Sequence, residues 1–371
     1  MPRYVATTNA GLEPALKAEL EALGADNIQG KRRAVVFEGD QRLLYRANLE
    51  LRCALRVLMP LRSFKLYYPD DLYDAAYSLP WEELIPPRRT FSVDGILSSD
   101  LFNNSQYAML RVKDAIVDRC RDKTGTRPNV NRTQAHIRVH LRLFKDRATI
   151  SMDSSGEPLF KRGYRVSTVP APLNEVLAAG IIGLSGWRGD RAFVDPMCGS
   201  GTLPIEAVRM ARRIPSQMQR KSYAFQYWHD YDEPTWKDVH ATAVAAIVPL
   251  AVPVLASDKN LRAYKVTQMN AENSGIDGMD IQMMLFDKLE KPAETGTLIM
   301  NPPYDERLKV SDVGEFYNMI GRTLKLNWTG YEAFILSTNK EALGRIGMTV
   351  AQRHNLYNGP TEARLNKYEV Y

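Results

Sequence analysis

From residue 192 onward the chain repeats one pattern: a short apolar stretch, a polar or glycine-rich turn, then helix-forming material. Residues 192–194, 252–256, 281–285 and 297–300 supply the apolar stretches. Each is short for a buried helix and is followed by turn residues, so each reads as a strand covered on both faces. Strands separated by helices specify a mostly parallel α/β sheet, since parallel neighbours require a crossover connection. Open sheets of this kind bind ligands just outside the carboxyl ends of their strands. The residues that leave each apolar stretch are therefore the ones to inspect for chemistry.

Asp195-Pro196-Met197-Cys198-Gly199-Ser200-Gly201-Thr202 leaves the first strand and leads into the helix-forming segment 203–211. Gly199 and Gly201 allow the backbone to turn and approach a ligand closely, where a bulkier residue resists. The spacing is not the dinucleotide G-x-G-x-x-G, and no G-K-[ST] is present for phosphates. A cradle for a zwitterionic amino-acid cofactor fits better, with Asp195 organising the loop or accepting hydrogen bonds from an ammonium group. Asp258, after the second strand, can accept from two ribose hydroxyls. Asp287, after Met283-Met284-Leu285-Phe286, can accept from an adenine amino group. Cys198 has no evident base partner, so its role in the loop is steric.

Leu298-Ile299-Met300 leads straight into Asn301-Pro302-Pro303-Tyr304. The prolines stop the strand and restrict its exit. That stiffness can hold the Asn301 amide oxygen and the Pro302 carbonyl so that both accept from an exocyclic base NH2, while Tyr304 offers a face for an extracted base. Such a nitrogen shares its lone pair with the ring and is a poor nucleophile. Acceptors aimed at its protons favour the geometry and charge needed to attack a sulfonium methyl. Neither a metal nor a covalent enzyme intermediate is required.

Length and charge frame the front half. A chain of 371 residues exceeds one ordinary domain, and 44% hydrophobic residues suffice for sizeable cores. No run of about 18 apolar residues suggests a membrane span, and the amino-terminal stretch lacks a signal core. Cys53, Cys120 and Cys198 are scattered, which fits a reducing cytoplasm rather than a disulfide framework or a zinc site. Residues 1–165 hold 27 Lys/Arg against 20 Asp/Glu, and residues 166–371 hold 22 against 23, so the positive excess lies in front. It is compatible with phosphate contacts or with an ordinary solvated surface.

Periodicity places strands near 4–7, 34–37 and 53–59 and helices near 12–23 and 43–48, a small α+β sandwich. A second module follows over about 70–155, with a helix from residue 72, a strand at 90–93, a long helix over 105–119, and strands at 135–141 and 147–152. Period two sets Ile137, Val139 and Leu141 on one face, and His136, Arg138 and His140 on the other, where they are expected to coat an exposed sheet. The two histidines do not make a metal site. Gly163, Pro170 and Pro172 punctuate a linker, and 173–183 reads as a helix. Aromatic residues crowd 223–236, where burial against the sheet or another domain is the reading preferred over base stacking.

The sequence resembles the bacterial THUMP-domain class I RNA methyltransferases, specifically the 23S rRNA guanine-N2 group, over nearly its whole length. SGEPLFKRGYR at 155–165, APLNEVLAAGII at 171–182, FVDPMCGSGTLPIEA at 193–207, ASD at 256–258, LIMNPPYDERL at 298–308 and HNLYNGPTEARLNKYEV at 354–370 carry the likeness. It implies a ferredoxin-like module over 1–65, a THUMP RNA-binding domain over 66–155, a linker over 156–171, and a Rossmann-like methyltransferase domain over 172–371. It further implies that Asp195, Pro196, Gly199, Gly201, Thr202, Asp258 and Asp287 line an S-adenosylmethionine site. Asn301, Pro302 and Tyr304 then handle the guanine amino group, and Lys161, Arg162 and Arg165 are candidate RNA contacts near the hinge.

The implied partner is 23S rRNA, at the guanosine numbered 2445, or a large-subunit assembly intermediate, with no membrane and no obligate protein partner. The group commonly has Gly after NPPY, where this chain has Asp305, which bears on loop shape and substrate preference. Some larger relatives carry a second methyltransferase domain, and the residues after NPPY leave no room for one, so a single activity is expected. The alternatives are a tRNA guanosine-N2 methyltransferase, a DNA adenine-N6 methyltransferase and a noncatalytic ribosome-assembly factor.

Overall fold

A computed structural model describes every residue except Asn103, Ala171, 304–309 and Pro360, together with the side chains of 310–312. The front half opens with β1 (Arg3–Thr7), α1 (Glu13–Ala22), β2 (Asp26–Lys31), β3 (Ala34–Glu38), α2 (Gln41–Glu50) and β4 (Arg56–Lys65). Alternation in β1 turns Tyr4 and Ala6 inward, onto Leu16 and Leu20 of α1 and Leu44 of α2. β2 has no apolar alternation to announce it; it is a polar edge strand held by pairing with β3.

The chain continues through α3 (Asp71–Tyr77), α4 (Trp81–Leu84), β5 (Phe91–Ser98), α5 (Ser105–Thr124), β6 (Ile137–Phe144) and β7 (Arg147–Asp153). α5 is the crossover that makes β5 and β6 parallel. β4 and β7 pair antiparallel from Leu58 opposite Asp153 to Lys65 opposite Arg147. The two expected front modules therefore share one seven-stranded sheet, β2-β3-β1-β4-β7-β6-β5. Its inner face carries Ile137, Val139, Leu141, Ile150 and Met152 against Val112 and Ile116 of α5.

The opposite face corrects the expectation of an exposed polar sheet. Arg138 and His140 are only 9% and 8% exposed, because a later part of the chain covers them. The aromatic stretch of residues 223–236 does this. The Phe225 amide donates to the Ser154 carbonyl (3.0 Å), and Tyr227 meets the His136 ring edge-on at 4.8 Å. Phe225 also stacks on Tyr45 of α2, with centroids 4.5 Å apart, so the aromatics serve packing as expected.

The back half contains α6 (Glu175–Leu184), β8 (Ala192–Asp195), α7 (Thr202–Ala211), α8 (Glu233–Ala245), β9 (Val254–Ser257), α9 (Leu261–Asn273), β10 (Met279–Gln282), β11 (Gly296–Met300), α10 (Val310–Asn327), β12 (Tyr331–Ser337), α11 (Lys340–Gly344), β13 (Gln352–Asn358) and β14 (Thr361–Glu369). Their sheet runs β10-β9-β8-β11-β12-β14-β13, parallel from β10 to β12, with β14 antiparallel. The order reverses between β8 and β11, so a crevice forms at the carboxyl ends of those two central strands.

One strand differs from the sequence reading. β10 ends at Gln282, in register with Ser257 of β9, and the apolar Met283, Met284 and Leu285 continue beyond it as exposed residues. No helix among the described residues is long and apolar enough to cross a membrane.

The segment expected to link the halves is packed between them. The Leu159 amide donates to the Leu55 carbonyl (2.8 Å), and Tyr164 is fully buried. α6 lies against the front half so closely that a Cβ on Gly180 would sit 2.5 Å from Leu12 Cδ2. Arg162, expected to touch RNA, is 1% exposed and donates to the carbonyls of Leu159 and Arg52. Its Nε lies 3.7 Å from Glu206 on α7, itself fully buried. A guanidinium enclosed by two domains cannot reach a phosphate, so this residue is a structural tie rather than an RNA contact.

Candidate active site

At the β8 exit, Asp195 is 1% exposed and accepts one hydrogen bond, from the Met197 amide at 3.1 Å. Burial, helped by the nearby Asp258 carboxylate, pushes its carboxyl well above the ordinary range. The loop then turns through Gly199 and Gly201, both at positive φ (57° and 79°). At Gly201 the close approach is as important as the angle, since a Cβ would lie 2.8 Å from Thr267 Cγ2. Thr202 begins α7, so the amino end of that helix points into the crevice.

Asp258, after β9, is engaged by its own chain. Oδ2 accepts from the Gly199 amide (3.0 Å) and Oδ1 from the Asn260 amide (2.9 Å). These bonds tie the β9 exit to the glycine loop, and a carboxylate keeps further lone pairs for a ligand. Asp287 lies in a short 3-10 turn, Phe286–Lys288, with its side chain exposed.

Two residues of α9 that were missed from sequence hold the same loop from behind. Thr267 Oγ1 donates to the Gly199 carbonyl (3.1 Å), and Asn270 Nδ2 donates to the Ser200 carbonyl (2.9 Å). Asn270 Oδ1 accepts from the amides of Val166 and Ser167. One buried amide thus joins the loop to the segment arriving from the front half. The available signal was the three-residue spacing of Thr267, Asn270 and Asn273, a polar stripe on a helix that elsewhere alternates normally.

Asn301 leaves β11 beside this loop, because Leu298 of β11 pairs with Val194 of β8. Asp195, Gly199, Asp258, Asp287 and Asn301 line one cavity of about 640 Å³, with Met284, Leu285, Phe286, Phe316 and Met319 as its apolar wall. Pro196 and Thr202 also line it, whereas Gly201 and the buried Pro302 do not. Tyr304 lies outside the described residues. Among the described residues no group of His, Cys, Asp and Glu could hold a metal ion.

The three basic candidates separate. Lys161 is exposed and pairs with Glu157 (2.5 Å). Arg165 points inward, donating to Glu175 (2.8 Å), the Leu173 carbonyl and Thr202 Oγ1 (both 2.9 Å), so it braces the start of α7. Arg162 is the enclosed tie already described.

Comparison with known proteins gives three matches to family models. The methyltransferase domain described as RMKL-like matches residues 162–367, a THUMP domain matches 68–153, and the RlmL ferredoxin-like domain matches 3–58. The ribosomal RNA large subunit methyltransferase K/L of Psychromonas ingrahamii is 38% identical over all of this chain, which spans 50% of that protein. A Synechocystis protein named "Putative RNA methyltransferase" is 35% identical over 99% of this chain and 97% of its own length. The chain thus spans about half the length of the K/L relatives and nearly all of the Synechocystis one. Among solved structures, SMU.472, described as "a putative methyltransferase complexed with SAH", superposes with a TM-score of 0.91 at 30% identity, covering 100% of this chain and 98% of that one.

Proposed function

The chain belongs to the family of RMKL-like methyltransferase domains, here behind THUMP and ferredoxin-like domains, and from that premise we propose that it methylates the exocyclic N2 of a guanosine in 23S rRNA, using S-adenosylmethionine. The observation that carries this reading is the placement of Asp195 and Asn301 at the carboxyl ends of neighbouring central strands, on one cavity wall.

The residues present fit that cofactor. Asp195 is a buried carboxyl whose ionised form a cationic ammonium would favour. The glycine loop leaves room that a Cβ would fill, and about 640 Å³ is ample for a nucleoside joined to an amino acid. Asp258 retains acceptor capacity for ribose hydroxyls, and Asp287 stands beside the apolar wall of Met284, Leu285 and Phe286, which suits a purine. When bound, S-adenosylmethionine supplies a methyl group on a positively charged sulfur.

The work of this chain is to present the nucleophile. Asn301 Oδ1, with the Pro302 carbonyl as second acceptor, would accept hydrogen bonds from the two amine N–H groups, so that the nitrogen lone pair is withdrawn from the ring. As positive charge develops on nitrogen these bonds strengthen, which favours the transition state over the ground state. The prolines fix the acceptors in advance, so little reorganisation is required. The resemblance assigns Tyr304 to stacking on the base, and Lys161, exposed beside its partner Glu157, is the remaining candidate for a phosphate contact.

The test is transfer of labelled methyl to 23S rRNA from cells lacking this protein, followed by nucleoside analysis. N2-methylguanosine supports the reading. Label found only in tRNA, or as N6-methyladenosine in DNA, rejects it.

A further inference from the structure

We propose that Asn270 is a positioning residue for the cofactor: it sets the stretch arriving from the front half, which forms one wall of the cavity, against the glycine loop that forms another. This rests on the S-adenosylmethionine part of the reading above and not on which base is methylated.

That stretch has little else to hold it. From Arg165 to Val169 the backbone belongs to no helix or strand, and Val166, Thr168 and Pro170 are exposed, so side-chain hydrogen bonds have to fix its course. Yet Val169, Pro170, Pro172 and Leu173 line the cavity, facing the glycine loop. A Cβ on Gly199 would lie 3.5 Å from Val169 Cγ2, so wall and loop are in contact.

Asn270 supplies the missing bonds. It is fully buried and does not line the cavity itself. Its Oδ1 accepts from the amides of Val166 (3.0 Å) and Ser167 (3.2 Å), and its Nδ2 donates to the carbonyls of Ser167 (3.0 Å) and Ser200 (2.9 Å). Two lone pairs and two N–H bonds are the whole capacity of a primary amide, and all four are in use. Three go to the wall and the fourth to the loop, so one rigid group gauges the gap between them. The Val169 amide repeats the tie beside the cavity, donating to Ser200 Oγ (3.0 Å).

Asn273, one turn later on α9, donates to the carbonyls of Gly163 (3.1 Å) and Tyr164 (3.0 Å). Those bonds serve the root of the stretch, where Tyr164 is already buried. Asn273 therefore does the same kind of work away from the wall. A ligand held between two walls loses contacts when one drifts, and a displacement of about 1 Å is enough to matter.

Calorimetry with S-adenosylhomocysteine and the full chain tests this. Asn270→Ala should weaken binding about tenfold, and Asn273→Ala should stay within about twofold of wild type. A residue that only supports the fold would instead lower the binding stoichiometry and leave the Kd of the folded fraction unchanged. That result overturns the proposal, and so does an equal loss of affinity in Asn273→Ala. Hydrogen exchange on the wild type depends on no variant: S-adenosylhomocysteine should slow exchange at the Val166, Ser167 and Val169 amides, and unchanged exchange there overturns the proposal too. If the wild type does not bind S-adenosylhomocysteine, the cofactor reading falls and this one with it; if wild type and Asn270→Ala bind equally, the role of Asn270 alone falls.

Discussion

The Gly199 amide donates to Asp258 Oδ2 at 3.0 Å, so the loop after β8 is held by the acid after the neighbouring β9. Two strand exits that meet through a single charged acceptor form one unit, and a ligand that touches either depends on both. Asp258→Asn places an NH2 against the Gly199 N–H or gives up the bond to Asn260. A hydrogen bond to a charged group contributes about 1.5–3 kcal/mol. Calorimetric affinity for S-adenosylhomocysteine should fall at least tenfold, and the urea midpoint of the free protein should drop as well, because the broken bond is present without ligand.

Asp195 should behave in the opposite sense without ligand. Its folded value is raised, so the native state holds the proton more tightly than the unfolded chain does. Stability therefore falls as pH rises from the ordinary carboxylate range to that raised value. Asp195→Asn keeps an oxygen for the Met197 amide and removes the charge. The free variant should exceed wild type at pH 8 by on the order of 1–3 kcal/mol, with the gap closing in acid. Saturating S-adenosylhomocysteine should raise the Tm of wild type and not that of the variant.

The cavity-lining ends of the central strands were legible in the sequence because each follows an apolar stretch that has few other ways to fold. Asp195 through Thr202 and Asn301 needed only that local context to be singled out. Arg162 was not legible, since a Lys-Arg pair beside a glycine looks like solvated surface until two domains close over it. Arg138 and His140 mislead similarly, because their cover comes from Phe225 and Tyr227 far along the chain. Met284 and Leu285 looked like strand because they are apolar, yet they serve as cavity wall. Local patterns report the strand; burial by distant segments is written in no single stretch.

The covered row gives a pH signature of its own. Burial, with Arg56 and then Arg142 adding repulsion, lowers His140 from 6.5 to about 4. The unfolded chain takes up a proton first, so stability is fully present above about pH 6.5 and is lost as pH falls toward 4. At 1.36 kcal/mol per unit, the loss approaches about 3 kcal/mol. Denaturant titrations from pH 7.5 to 4.5 should show it, and His140→Gln should flatten that part of the slope.

Gly201→Ala tests the cradle by shape rather than charge. The φ of 79° and the 2.8 Å approach to Thr267 both oppose a side chain. A strained non-glycine residue of this kind costs about 1–3 kcal/mol. The urea midpoint should drop accordingly. Cofactor affinity should drop as well, because relief of the contact moves the Gly199 carbonyl away from Thr267 Oγ1.

Asn301→Ala separates binding from chemistry. Asn301 lines the cavity at the β11 exit, whereas the groups proposed to face the cofactor belong to the exits of β8 and β9 and to the 3-10 turn of Asp287. Its truncation removes an acceptor required only while charge develops on the amine, a deletion of the kind that lowers kcat by about 10²–10³. Affinity for S-adenosylhomocysteine and for RNA should stay within about twofold, since neither depends on that acceptor. Asn301→Asp should keep an oxygen in place and recover part of the rate. Single-turnover methyl transfer on undermethylated 23S rRNA measures the effect directly. A variant that loses cofactor affinity in proportion to rate would instead make Asn301 a wall of the cofactor pocket, with the amine handled elsewhere.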